Sequence, residues 1–193
     1  MLYQTAIRQI QRLLAQAARR GVREPTAVAL ATTDARGRPS VRTVLLKRVD
    51  ARGLVFYTNT RSRKGRHLAA RPRAGVCCFW EPLKRQIMVE GRVERIAAQE
   101  ADAYWAGRPR LHQLSAWASL QSQPLPTRLT LARRFALYRR RFAGRAVPRP
   151  PHWSGYRLVP ERIEFWRARP YRLNERVVYQ RAGKRWKVQR LYP

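Results

Sequence analysis

Apolar positions at Ile7, Ile10, Leu13, Leu14 and Ala17 recur at helical spacing, with arginines and glutamines between them. They predict an amphipathic helix over residues 3–20 with Gly21 as its cap, so that residues 1–21 form an N-terminal helical segment. From Ala27 the period shortens. Ala27–Thr33, Val41–Arg48 and Leu54–Asn59 are rich in β-branched and aromatic residues and read as strands. The connections Asp34-Ala35-Arg36-Gly37 and Asp50-Ala51-Arg52-Gly53 each put Asp at the turn start and Gly where positive φ is wanted. Two antiparallel hairpins follow from that chemistry.

Ser62 reads as the N-cap of a helix that runs to about Ala70 and stops at Arg71-Pro72. Gly75–Trp80 and Arg85–Ile96 are further strands, the second with a bulge expected at Gly91. Ala97–Ala106, Leu114–Leu120 and Arg128–Phe142 are helical by pattern, and the Pro-rich residues 147–151 form a linker. Strands return at Gly155–Leu158, Arg162–Arg167, Arg176–Gln180 and Trp186–Arg190. Strands, then helices, then strands predict an α+β fold, a closed or partly closed antiparallel β-barrel with helices packed outside. One domain over 1–193 is expected, with the linker inside it.

Composition adds bounds. At 193 residues and 45% hydrophobic content the chain can bury a core. No apolar run approaches the ~20 residues of a membrane helix, and no secretory signal pattern opens the chain, so no membrane partner is expected. Cys77 and Cys78 are adjacent in a strand and point to opposite faces, which suits neither a disulfide nor a metal site. A reduced cytoplasmic protein without structural metal is the expectation.

The net charge of +31 attracts polyanions, yet 37 of the 42 basic residues are arginines scattered through every segment. That dispersion reads as compositional bias, and no specific nucleic-acid partner is expected. The informative cations are spaced ones. Arg42 and Lys47 are five residues apart, so a regular strand would point them to opposite faces; Lys47 joins Arg42 only if the strand bends or bulges. Arg63 and Lys64 sit in the first turn after Ser62, where free backbone N–H groups and the helix dipole favour an anion. This is the chemistry of a pocket for a phosphorylated planar ligand.

Arg42–Lys47, Tyr57-Thr58, Ser62-Arg63-Lys64, Arg85-Gln86, Arg108-Pro109-Arg110, Gln121-Ser122, Ile163–Trp166 and Arg190-Leu191-Tyr192-Pro193 follow one another in unbroken order. In that order and spacing the chain, from about Pro25 to Pro193, resembles the pyridoxine/pyridoxamine 5′-phosphate oxidase family. The resemblance implies a split-barrel homodimer with flavin mononucleotide (FMN) at the subunit interface. Arg42, Thr43, Val44, Leu45, Leu46 and Lys47 would line the flavin, and Tyr57, Thr58, Arg63 and Lys64 would hold its phosphate. Gln86 would contact the ring, and Gln121, Ser122, Trp166 and Arg176 would complete the site from the partner subunit. Lys47, Tyr104, Arg108 and His112 would grip the substrate phosphate, while Arg172, Leu173 and Asn174 would lie over its pyridine ring, with Arg172 and Asn174 as the catalytic pair. The implied reaction oxidises phosphorylated B6 vitamers to pyridoxal 5′-phosphate with molecular oxygen as acceptor, giving hydrogen peroxide.

Two positions depart from the family pattern. His112 stands where a small hydroxyl residue is usual, and Asn174 stands where the family has His. Asn keeps hydrogen-bonding ability but cannot titrate. Both changes fall on the substrate side, which motivates an alternative: a related FMN oxidase acting on another aromatic metabolite of the phenazine type. A non-enzymatic polyanion-binding protein on the same scaffold is the reading prompted by the charge. The Tyr104-Trp105 pair is, on pattern alone, expected in a core, and His67 carries no assigned role.

Overall fold

Two strands far apart in sequence, Gly53–Asn59 (β3) and Trp153–Arg167 (β6), pair antiparallel from Leu54↔Leu158 to Asn59↔Trp153. That pairing closes a barrel. In this computed structural model, which describes residues 1–193, the sheet runs β3-β2-β1-β4-β5-β6-β7-β8. The intervening strands are Ala27–Thr33 (β1), Pro39–Asp50 (β2), Arg73–Trp80 (β4) and Arg85–Arg95 (β5). Glu175–Ala182 (β7) and Arg185–Leu191 (β8) extend the sheet beyond the barrel.

The helices are Leu2–Arg19 (α1), Arg63–Ala70 (α2), Ala98–Ala106 (α3), Arg110–Ala118 (α4) and Arg128–Arg141 (α5). The stripe of α1 buries Ala6, Ile7, Ile10, Leu13 and Ala17 in one cluster with Leu30, Phe56, Leu158 and Ile163 of the barrel. Each such Leu or Ile contributes about 1.5–3 kcal/mol by leaving water. A second cluster, built on Trp105, Leu114, Phe142, Val147 and Trp153, fastens the α3–α5 region to the start of β6. The linker is pinned there: Trp105 Nε1 donates to Val147 O at 2.8 Å, and Trp117 Nε1 to Pro148 O at 2.8 Å.

The expected strands at Gly155–Leu158 and Arg162–Arg167 are one strand, β6. Pro160, which has no N–H for a ladder, lies within it. The pairing of β5 with β6 steps from Glu90↔Arg162 to Gly91↔Pro160, so Glu161 is the extra residue and the irregularity absorbs the proline. Gly91 sits at that step, as its sequence position foretold, although the bulged residue is on the facing strand. A Cβ there would lie 2.1 Å from Val159 O. Helix α4 begins at Arg110 and not at Leu114, directly after Pro109.

Arg157 of β6 is buried at 2% exposure and donates to Asp50 at 3.0 Å and Glu100 at 2.8 Å. It thereby ties the β2–β3 turn to α3, the helix that carries Tyr104.

Candidate functional site

Most of the sequence-predicted residues gather around a cavity of about 590 Å³ along β2, closed by the N-terminus of α2 and the α4–α5 connection. Arg42, Thr43, Val44, Leu45, Lys47, Tyr57, Thr58, Arg63, Lys64, Tyr104, Arg108, Gln121 and Ser122 all line it, together with Ser40 and Val41, which sequence reasoning missed. Five cations face one space that no carboxylate lines. Leu46 is the exception on β2: it is 4% exposed and packs into the barrel core.

Lys47 reaches the cavity because β2 is irregular there. Leu46 pairs with Phe56 but Arg48 pairs with Val55, so Lys47 is the extra residue. The conditional expectation from the five-residue spacing is met by this bulge.

Ser62 caps α2, its Oγ accepting from Gly65 N at 3.3 Å. Glycine is required at 65, because a Cβ would lie 2.1 Å from Thr60 O. Lys64 is buried, and its Nζ donates to Thr58 Oγ1 at 3.1 Å, Ser62 Oγ at 3.4 Å and Gln121 Oε1 at 3.3 Å. Burial, with the charge of Arg42, pushes the Lys64 pKa down to about 8. Arg42 is lowered from its ordinary value by burial and by Arg63. Burial first, and their mutual repulsion second, disfavour these charges, and a bound anion would offset both.

Gln121 and Ser122 belong to this chain's own cavity, where the resemblance assigned them to a partner subunit. Ser122 holds a left-handed backbone, φ 70°, at the cavity rim.

Tyr104 and Trp105 divide their roles. Trp105 is buried in the second cluster, whereas Tyr104 lines the cavity and stacks on Tyr57 with centroids 3.9 Å apart and planes at 8°. Trp153 continues the stack, 5.1 Å from Tyr57. The Arg108 guanidinium lies 4.8 Å from the Trp153 ring and 5.7 Å from that of Trp105. Its buried Nε has no partner, and burial holds its pKa below the ordinary arginine value. Lys47, Tyr104, Arg108 and Leu45 also line an adjoining cavity of about 650 Å³, which contains His112.

Gln86, Trp166 and Arg176 do not line these cavities but form one row across β5, β6 and β7, Gln86↔Trp166 and Trp166↔Arg176. Arg176 Nε donates to Glu164 Oε1 at 2.7 Å. Arg172, Leu173 and Asn174 lie on the connection before β7, also outside the cavities. Tyr171 and Arg172 are consecutive left-handed residues there, φ 57° and 61°. The Asn174 side chain accepts from Arg169 N at 3.1 Å.

The donor set fits a phosphate-bearing flavin: five cations, an orphaned guanidinium N–H and a cavity of mononucleotide size. Fold and site together define a split β-barrel with a basic pocket suited to a flavin. The fold of a pyridoxamine 5′-phosphate oxidase-related, FMN binding protein from Nostoc punctiforme is the same, with a TM-score of 0.76 at 19% identity over 93% of this chain and 95% of that one. The chain belongs to the pyridoxamine 5′-phosphate oxidase family, an oxidoreductase family, which residues 14–167 match. Residues 153–193 match the pyridoxine 5′-phosphate oxidase C-terminal dimerisation region. The chain is 60% identical to the pyridoxine/pyridoxamine 5′-phosphate oxidase of Alkalilimnicola ehrlichii over 162 residues, 83% of each protein. It is 56% identical to that of Myxococcus xanthus over 170 residues, 88% of this chain and 82% of the relative. It is also similar to PhzG from Burkholderia lata, solved in complex with tetrahydrophenazine-1-carboxylic acid, with a TM-score of 0.92 and 39% identity over 97% of this chain and 92% of that one. No helix is long and apolar enough to cross a membrane.

Proposed function

We propose that the protein is an FMN-dependent oxidase of phosphorylated B6 vitamers, a single-domain split barrel working as a cytoplasmic homodimer with FMN at the subunit interface. Pyridoxine 5′-phosphate and oxygen give pyridoxal 5′-phosphate and hydrogen peroxide; with pyridoxamine 5′-phosphate, water also enters and ammonia leaves. The observation that carries this reading is the pair of adjoining basic cavities with Lys47, Tyr104 and Arg108 in their shared wall. Two phosphorylated ligands side by side need that arrangement.

FMN, when bound, supplies the acceptor for the hydride that leaves C4′ of the substrate and passes the electrons to oxygen. The chain does the rest. Thr58, Arg63 and Lys64 hold the cofactor phosphate, with Gln121 and Ser122 beside them, and Arg42 meets the polar edge of the ring. Lys47, Arg108, Tyr104 and His112 hold the substrate phosphate and so fix C4′ against the ring. Gln86, Trp166 and Arg176 of a second copy close the ring side, and its Arg172–Asn174 segment covers the substrate.

A phenazine-type substrate is the second reading, favoured by the likeness to the Burkholderia lata protein and by Asn174 and His112 on the substrate side. Peroxide formation, measured with each phosphorylated vitamer and with a reduced phenazine carboxylic acid, separates the two. Turnover of the vitamers supports the first; turnover of the phenazine alone replaces it with the second.

A further inference from the structure

Arg42 is not held by any carboxylate. Its Nη1 donates to Leu30 O at 2.9 Å and to Thr32 Oγ1 at 2.7 Å, and its Nη2 donates to Ser40 Oγ at 2.7 Å. Thr32 is buried at 2% exposure on β1, and its Oγ1 lies 3.2 Å from Nδ1 of His67, itself 6% exposed on α2. A guanidinium only donates, so the Thr32 oxygen accepts from Arg42 and its single proton is left for His67. His67 Nδ1 must then be an acceptor, which places the ring proton on Nε2. With the other tautomer the hydroxyl oxygen would accept from both neighbours and the buried Thr32 proton would have no partner.

His67 sits one turn along α2 from Lys64, so the relay spans the site. One end of α2, capped by Ser62, presents Arg63 and Lys64 to the cavity; its interior, through Thr32, grips Arg42 of β2. We infer that Thr32 and His67 are positioning residues that fix the Arg42 guanidinium and lock its separation from the anion cradle at the start of α2. Neither residue lines the cavity, and they act on a ligand only through Arg42. The inference rests on the proposed role of the cavity as the FMN site.

The test combines ring NMR with flavin titration. The ¹⁵N shifts of the His67 ring in the wild-type protein, measured with and without FMN, should report a neutral ring protonated at Nε2. A ring protonated at Nδ1 overturns the relay whether or not FMN binds, whereas failure of the wild type to take FMN overturns the proposed cofactor site instead. Thr32→Val keeps shape and deletes the hydroxyl; it should raise the FMN Kd about tenfold, as expected for a lost bond to a charged group. Thr32→Ser should stay within about twofold of wild type, since it restores the hydroxyl. In an Arg42→Gln background Thr32→Val should add almost nothing, because its effect passes through Arg42. Should Thr32→Val fail to fold, His67→Leu breaks the same link from α2 and carries the same expectations. A wild-type Kd in the hydroxyl-less variant, or full additivity with Arg42→Gln, overturns the inference.

Discussion

Arg42 and Lys47 face one cavity from a single strand although they lie five positions apart, because β2 slips register between Leu46 and Arg48. The bulge brings a cation to the wall shared by the two adjoining cavities, where Lys47 meets Arg108 and Tyr104.

Lys47→Gln should therefore raise the KM for a phosphorylated substrate about tenfold or more, the usual loss for one charge-assisted hydrogen bond. The side chain is exposed, so thermal stability should stay within about 0.5 kcal/mol of wild type. Steady-state kinetics alongside a melting curve check both. A variant with unchanged KM would remove Lys47 from the substrate phosphate.

Lys64 gives the site a pH signature. Burial and Arg42 hold its pKa at about 8, below the ordinary lysine value of 10.5. A bound phosphate favours the charged amine, so FMN binding takes up a proton above pH 8. Affinity should be at its plateau just below that pH and fall as pH rises through it, by up to about tenfold per unit. In the folded apoprotein the sign is opposite in consequence. Between about 8 and 10.5 the unfolded chain binds more protons, so this group makes stability rise with pH. FMN titrations at stepped pH should show the slope in wild type and lose it in Lys64→Met.

Glu164 is 1% exposed and accepts from Arg176 and Arg162. Burial pushes its carboxyl up, but hydrogen bonds and charge from the two arginines outweigh it and hold the pKa below the ordinary 4.5. The stabilisation is present above pH 4.5 and is lost as pH falls through the lowered value. Glu164→Gln leaves Arg176 without its counter-charge, while Arg162 keeps Glu90, and should cost about 3 kcal/mol, the low end for a broken buried pair because both arginines keep some solvent. Denaturant unfolding at neutral pH measures it, and the difference from wild type should shrink in acid.

Gly155 makes room for the aromatic stack. A Cβ there would lie 2.5 Å from Ile96 Cδ1 and 2.9 Å from the Tyr57 ring. Gly155→Ala should destabilise by about 1–3 kcal/mol through overpacking. It should also weaken substrate binding, since Tyr57 carries Tyr104. A folded variant with wild-type KM would show that the stack does not position the substrate.

The sequence carried what is local. Hairpin turns, the Ser62 cap and the α1 stripe all stand where patterning put them, because each depends on residues a few positions apart. Lys47 was legible only as a condition, since spacing shows that a bulge is needed but not that one forms. The continuity of β6 past Pro160 was not legible, because the register step that accommodates it lies on the pairing with β5, about seventy residues away in the chain. The row Gln86–Trp166–Arg176 and the return of Gln121 to Lys64 are long-range pairings with no periodic signature. His67 passed as ordinary for the same reason: its partner Thr32 lies 35 residues earlier, on another strand.

The most direct test of the account is an anaerobic titration of the FMN-loaded protein with pyridoxamine 5′-phosphate, followed in the visible flavin band. The account predicts that the band bleaches on addition and returns on admitting air, with pyridoxal 5′-phosphate formed. A bound flavin whose band stays unbleached at saturating pyridoxamine or pyridoxine 5′-phosphate would contradict it.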